Sequence, residues 1–249
     1  MEMEPGDHAR FQLAPHFSLW QSTPFPPSGE RAISASQRER RISMLTLYFA
    51  PGTCALASLI ALEESGLTYE GKRIDTGKGE QLTPEYLAIN PKGRVPAMVT
   101  DRGTLTETPA ILAYIAQVAS SARLAPLEDF FAFGRMQAFN SYLCSTVHIN
   151  HAHGRRGGRW TDDAAAIETM KAKVPQTMGD SFAVIEEKML AGPWVLGENY
   201  SVADAYLFTM SRWLTGDGVD RTRFAKVDTH HARMLERPAV QRALALEKA

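Results

Sequence analysis

Residues 44–74 read MLTLYFAPGTCALASLIALEESGLTYEGKRI, and this stretch decides the fold. Residues 44–49 predict a short strand with an apolar bias. Pro51-Gly52 ends it. Thr53 can cap a helix whose first turn holds Cys54. Leu56, Leu59, Ile60 and Leu62 give that helix an apolar side, and Gly66 suits its C-terminal stop. Residues 68–74 predict a second strand. Strand, helix and strand make a βαβ unit, whose strands run parallel.

Downstream, Thr83-Pro84 opens a short helix, with Thr83 as cap and Pro84 at the first helical position. Asn90-Pro-Lys-Gly-Arg-Val-Pro96 is a turn-rich loop. Residues 97–100 and 104–106 predict a hairpin around Asp101-Arg-Gly103. Thr108-Pro109 is expected to cap a helix reaching about Ala119. The order βαβ then ββα is that of a thioredoxin-like unit. After Leu124-Ala-Pro126 the strand signals disappear. Met136, Phe139, Leu143 and Val147 form a core-facing stripe. Ser141, Ser145 and His148 recur on another face of the same helix, with Cys144 near them. Residues 162–190 predict a long helix bent near Pro175. Ser201-Val-Ala-Asp204 matches a capping box opening a helix over 202–214. The expected architecture is an α/β thioredoxin-like N-terminal domain followed by an all-α helical C-terminal domain. Its expected limits are 44–123 and 130–249, joined by a linker over 124–129.

Residues 1–43 read differently. They hold five prolines, balanced charges and no sustained period, and they predict a disordered extension. Met44, just before the first strand, is a candidate true start. The whole chain carries 27 Lys+Arg and 28 Asp+Glu, so no global field favours nucleic acid or an anionic membrane. Its longest apolar stretch, 109–119, is about half of what a membrane-spanning helix needs. Two cysteines, Cys54 and Cys144, are too few for a disulfide framework and fit a reducing compartment, which predicts a cytoplasmic protein.

Four segments carry a family likeness: Tyr48-Phe-Ala-Pro-Gly-Thr-Cys54, Asn90-Pro-Lys-Gly-Arg-Val-Pro96, Leu105-Thr-Glu-Thr-Pro-Ala-Ile111 and Ser201-Val-Ala-Asp-Ala-Tyr-Leu-Phe208. Through them the chain from Met44 onward resembles the soluble glutathione transferases, most closely the bacterial beta class. The resemblance implies glutathione as substrate, a small electrophile as second substrate, and a homodimer. It also implies a site. Val95-Pro96 would be a cis-proline corner whose Val95 backbone pairs with the cysteinyl backbone of glutathione. Thr108, at a helix N-terminus, would receive the γ-glutamyl carboxylate, and Glu107 the ligand's ammonium. Lys78 and Lys92 are candidates for the glycyl carboxylate.

Cys54 and His148 would face the glutathione sulfur, with Ser145 one turn before His148. A thiol in a first helical turn has its pKa lowered by the N–H dipole end. A neutral or protonated His148 would donate a hydrogen bond and favour a thiolate. Ile149 departs from the lysine frequent at that position in the beta class. His148, His151 and His153 lack a clear ligand shell, so no metal is expected. Arg155-Arg-Gly-Gly-Arg159-Trp160 reads as a solvated turn between helices, with an anionic acceptor or a partner as the alternatives. The expected activity is conjugation of glutathione to an electrophile. The alternatives are a glutathione-dependent thiol transferase or disulfide reductase acting through Cys54, and a low-turnover glutathione-binding stress-response module.

Overall fold

The computed structural model describes residues 44–248. The expected disordered extension lies outside the described residues. Strand β1 (Leu45–Phe49) leads through Pro51-Gly52 into helix α1 (Ala55–Ser65) and strand β2 (Tyr69–Arg73). A short helix α2 (Pro84–Leu87) follows, then the hairpin β3 (Ala97–Thr100) and β4 (Gly103–Thr106), then α3 (Thr108–Val118). The sheet order is β2-β1-β3-β4. β1 runs parallel to β2, with Leu45 opposite Tyr69, and antiparallel to β3, with Leu47 opposite Met98. β3 and β4 are antiparallel. This is the thioredoxin-like order read from the sequence.

The remaining elements are helical: α4 (Phe130–Tyr142), α5 (His148–Arg156), α6 (Ala164–Val184), α7 (Val202–Ser211), α8 (Ala225–Leu235) and α9 (Pro238–Lys248). A π-helical turn, Leu143–Val147, joins α4 to α5. Pro175 lies inside α6, which continues past it. Residues 124–129 are not merely a tether: Leu124 is buried, and its carbonyl accepts the Val202 N–H at 2.9 Å.

Helix α1 is the centre of the molecule. Every residue from Ala55 to Leu62 is buried, not only one face. It packs against the sheet strand β1, against α3, and against α7 and α9 of the helical half. A helix covered on all sides needs no polar stripe, which is why its sequence is almost uniformly apolar. Gly66 ends it in the left-handed conformation, φ 71°. The stripe Met136, Phe139, Leu143 and Val147 is buried as expected.

The Ser201 capping box is present at the head of α7. Asp204 is fully buried there. Its carboxylate accepts N–H bonds from Val195 (2.7 Å) and Ser201 (2.8 Å), and lies 3.1 Å from His230 Nε2. One expected cap is different. Thr108 does not precede α3 but is its first helical residue; Glu107 holds the N-cap position, at φ 70° and ψ 120°.

Candidate active site

Cys54 sits at the C-terminal end of the β1–α1 turn and is buried. Its Sγ lies 3.8 Å from the Val95 carbonyl oxygen, which accepts from the thiol. The Val95–Pro96 peptide is cis. The Thr108 hydroxyl, at the head of α3, favours the Cys54 thiolate from another side. The loop before the cis-proline and the head of α3 therefore meet near one sulfur.

The thiol itself departs from expectation. Its pKa is raised, because burial penalises the thiolate more than Thr108 and the Arg156 guanidinium favour it. The helix N-terminus gives less help than its position promised. The Ala55 N–H bonds the Thr53 hydroxyl at 3.3 Å, Leu56 N–H the Thr53 carbonyl at 3.3 Å and Ala57 N–H the Cys54 carbonyl at 3.2 Å. With those donors occupied inside the first turn, none of the three is left for a sulfur anion.

His148 is engaged within the helical half. Its Nε2 lies 3.3 Å from Arg156 Nη2, and its ring packs edge-on against Trp213 at 5.1 Å. Burial first, then Arg156, His151, Arg159 and Arg94, push its pKa down to about 3. Of the neutral and protonated forms open to the sequence reading, burial and the neighbouring cations favour the neutral one. A neutral Nε2 facing a guanidinium is an acceptor, so His148 orients Arg156.

Arg156 is the residue that sequence reasoning missed. It was read as part of a solvated turn, yet its Nε is buried without a hydrogen-bond partner and its guanidinium acts electrostatically on Cys54. The helical pattern points to the wrong arginine. Seven residues bring a helix round to within about 20° of the starting face, which favours Arg155 over Arg156 as the partner of His148. Ser145 is exposed, and its hydroxyl donates to the Ser141 carbonyl at 2.8 Å, one turn back on its own helix. The polar stripe that grouped it with His148 crosses the π-helical turn, where regular spacing fails.

The other expected ligand contacts are partly engaged within the protein. The Lys92 ammonium pairs with Glu107 and donates to the Thr106 hydroxyl at 2.7 Å. Lys78 pairs with Asp75 at 3.3 Å on an exposed loop. Glu107 keeps a carboxylate at the strained head of α3, a conformation that costs a non-glycine residue roughly 1–3 kcal/mol. Cys144 comes near the same cluster. The Tyr206 hydroxyl nearby is buried without a hydrogen-bond partner, and Cys54, Cys144 and Glu107 all act electrostatically on that tyrosine.

The turn that carries Cys54 is tied to the helical half by two bonds no motif announced. The Gly52 N–H donates to Glu247 Oε1 at 2.9 Å, and Trp213 Nε1 donates to the Gly52 carbonyl at 3.1 Å. The second Glu247 oxygen holds Arg212 at 2.9 Å. Trp213 is itself stacked on His151, centroids 4.1 Å apart, and His151 Nδ1 meets the Asp217 carboxylate at 2.8 Å. His151 is thereby engaged away from His148, and His153 packs on Trp160 instead. Among the described residues no group of three or more metal-ligating side chains converges.

Residues 43–117 match the family described as glutathione S-transferase, N-terminal domain. Glutathione S-transferase GstA of Escherichia coli O157:H7 is 32% identical over 206 residues, which is 82% of this chain and 98% of that protein. Disulfide-bond oxidoreductase YfcG of Escherichia coli strain K12 is 30% identical over 215 residues, covering 81% and 94%. A glutathione transferase homolog from Sulfitobacter, solved with bound glutathione, has a TM-score of 0.78 at 46% identity, covering 82% of this chain and 97% of its own.

Proposed function

This chain belongs to the glutathione S-transferase family, and from that premise we propose that it conjugates the thiol of glutathione to a small electrophile. The observation that carries the reading is the meeting of Cys54, the Val95 carbonyl, the Thr108 hydroxyl and the Arg156 guanidinium at the boundary of the α/β and helical halves. Glutathione lies along the α/β side. Its cysteinyl backbone pairs with Val95, its γ-glutamyl carboxylate sits at the head of α3 on Thr108, and its ammonium meets Glu107. Glycyl-carboxylate binding by Lys92 requires it to turn from Glu107 once the ammonium arrives.

The sulfur of glutathione sits beside Cys54 and Arg156. The reacting species is its thiolate, since the anion and not the thiol is the nucleophile. Arg156 supplies the positive charge that lowers the cost of that anion, in a site where burial strengthens the interaction. The thiol proton leaves to solvent. With an aryl halide, the carbon–sulfur bond forms, the carbon–halogen bond breaks, and the halide departs with the electron pair. Cys54, kept as a neutral thiol by burial, donates its S–H to the glutathione thiolate.

The test is glutathione-dependent conjugation of 1-chloro-2,4-dinitrobenzene, beside a thermal melt with and without glutathione. Saturating glutathione at a hundredfold excess over its dissociation constant is expected to stabilise by about 2.7 kcal/mol. Glu107→Ala is expected to shrink that shift. A melt that shifts with no conjugation removes the catalytic reading and leaves binding alone.

A second reading is favoured by Cys144 and Tyr206 lying against the Cys54 cluster and by the relationship to a disulfide-bond oxidoreductase. Here the Cys54 thiolate attacks oxidised glutathione, forming a Cys54–glutathione mixed disulfide and releasing one glutathione thiolate. Mass spectrometry that finds no glutathione on Cys54 after exposure to oxidised glutathione excludes it. A homodimer belongs to the same proposal. Phe130 and Phe131, 88% and 79% exposed at the head of α4, offer apolar surface for a second copy. Sedimentation as a monomer at micromolar concentration would count against pairing. The free thiols of Cys54 and Cys144 support a cytoplasmic location.

A further inference from the structure

A cleft of about 380 Å³ opens in the helical half where the end of α5, the middle of α6 and the turn Thr215–Asp217 meet. That size is near the small end of the range for small-molecule sites, about 300–1,000 Å³. Gly154, Gly216 and Gly218 line it and put no side chain into the space. Gly218 has to be glycine, since its φ is 76° and an added Cβ would come within 3.3 Å of the Pro175 ring. Gly154 and Gly216 do not. Neither has a positive φ, and a Cβ there would make ordinary contacts, 3.4 Å to Val174 and 3.7 Å to the Arg155 guanidinium. Gly154 moreover lies within α5, where glycine is the least favourable residue after proline. Neither backbone nor packing demands these two glycines, and both keep the cleft open.

The lining chemistry names the ligand. Arg155 lines the cleft and is exposed, and among the described residues no acid pairs with it. Lys171 reaches Glu168, 3.6 Å away on the same helix, with both side chains more than half exposed, so solvent screens that pair. The acid of the lining, Asp217, is turned inward. Both its oxygens lie 2.8 Å from His151 Nδ1, and its side chain is 3% exposed. Two cations against one engaged acid leave the lining positive whatever the charge on His151. Val174, which is buried, and the Pro175 ring add apolar surface. A guanidinium fork and an ammonium suit an anionic oxygen group, and the apolar surface suits a hydrocarbon body attached to it. No lining residue belongs to the set assigned to glutathione. We propose that this cleft is a second ligand site, for a small organic carboxylate, and that it fills independently of glutathione.

The experiment is calorimetric titration of hexanoate into the full chain, alone and with glutathione present. Saturable binding is expected, with the same dissociation constant in both. Arg155→Met is expected to weaken it about tenfold, the size of one charge-assisted contact. Lys171→Met is expected to weaken it in the same direction. Both side chains are exposed, so both variants should melt with the wild type. Two further titrants separate charge from tail: 1-hexanol has the tail without the charge, and inorganic phosphate the charge without the tail. Each should bind at least about tenfold more weakly than hexanoate. No saturable binding of hexanoate overturns the proposal. So does hexanol or phosphate binding as tightly as hexanoate, since the cleft would then read only the tail or only the charge. Unchanged hexanoate affinity in both variants puts the ligand elsewhere and overturns it too. Displacement of hexanoate by glutathione would make the cleft part of the glutathione site and overturn its independence. None of these readouts uses turnover, so they stand whether or not conjugation is found.

Discussion

The bond from Glu247 to Gly52 gives a quantitative expectation at the greatest sequence distance in the site. Glu247 is in the last turn of α9, with its side chain 6% exposed. One oxygen takes the Gly52 N–H and the other takes Arg212. Replacing Glu247 by alanine removes both. A hydrogen bond to a charged acceptor contributes roughly 1.5–3 kcal/mol. Arg212 is 34% exposed, so solvent screens its pair with Glu247 to about 0–1 kcal/mol. The summed loss is roughly 1.5–4 kcal/mol, which for a chain of this size lowers the melting temperature by between roughly 3 and 16 °C. The turn holding Cys54 also loses one of its two ties to the helical half, so kcat/KM for conjugation should fall by about tenfold through misplacement alone. Glu247→Gln keeps an oxygen for Gly52 and loses only the charge. It should recover most of the rate and part of the melt. Differential scanning calorimetry and the aryl halide assay read both. Glu247→Ala melting and reacting like the wild type would show that the turn is held without its C-terminal tie, and the reasoning would fail.

Two further outcomes follow from buried groups. Asp204→Ala strips the acceptor from Val195, Ser201 and His230 in a site with no exposure. The expected cost is roughly 3–5 kcal/mol, and a denaturant midpoint equal to the wild type's would contradict it. His148 has its folded pKa pushed down to about 3, below the usual value of 6.5. Its contribution to stability is therefore full above pH 6.5 and is lost as the pH falls toward 3, because the unfolded chain takes up the proton first. His148→Gln should flatten the stability profile in that window by up to about 1.4 kcal/mol per pH unit. His231, pushed down to about 4 by burial and Arg221, keeps its own share of the slope. An unchanged profile between pH 6.5 and 4 would show that His148 is protonated in the fold.

The local elements and the peptide-binding corner were legible because their signals are short in range. A strand, a Pro-Gly turn and a capped helix are written in consecutive residues, and so are the cis Val95–Pro96 corner and the Ser201–Asp204 capping box. Even the family was readable, through four segments whose chemistry is local to each. The electrostatics of the sulfur site were not. Cys54 has the sequence of an activated thiol, but the N–H groups beside it are occupied in the first turn and burial raises its pKa. Desolvation is a property of everything packed around a group, and no spacing rule contains it. Arg156 reaches back along α5 to within 3.3 Å of the His148 ring, where regular helical spacing favours Arg155. Ser145 lies in a π-helical turn that ordinary helical spacing does not predict, with its hydroxyl on the Ser141 carbonyl. Gly52 is clamped by Glu247 and Trp213, 195 and 161 residues away in sequence. The chain's local chemistry thus determined the elements and the ligand they suit. Long-range packing decided which groups are charged there and which residue holds the reactive turn in place, because charge state and position depend on neighbours that only the folded chain brings together.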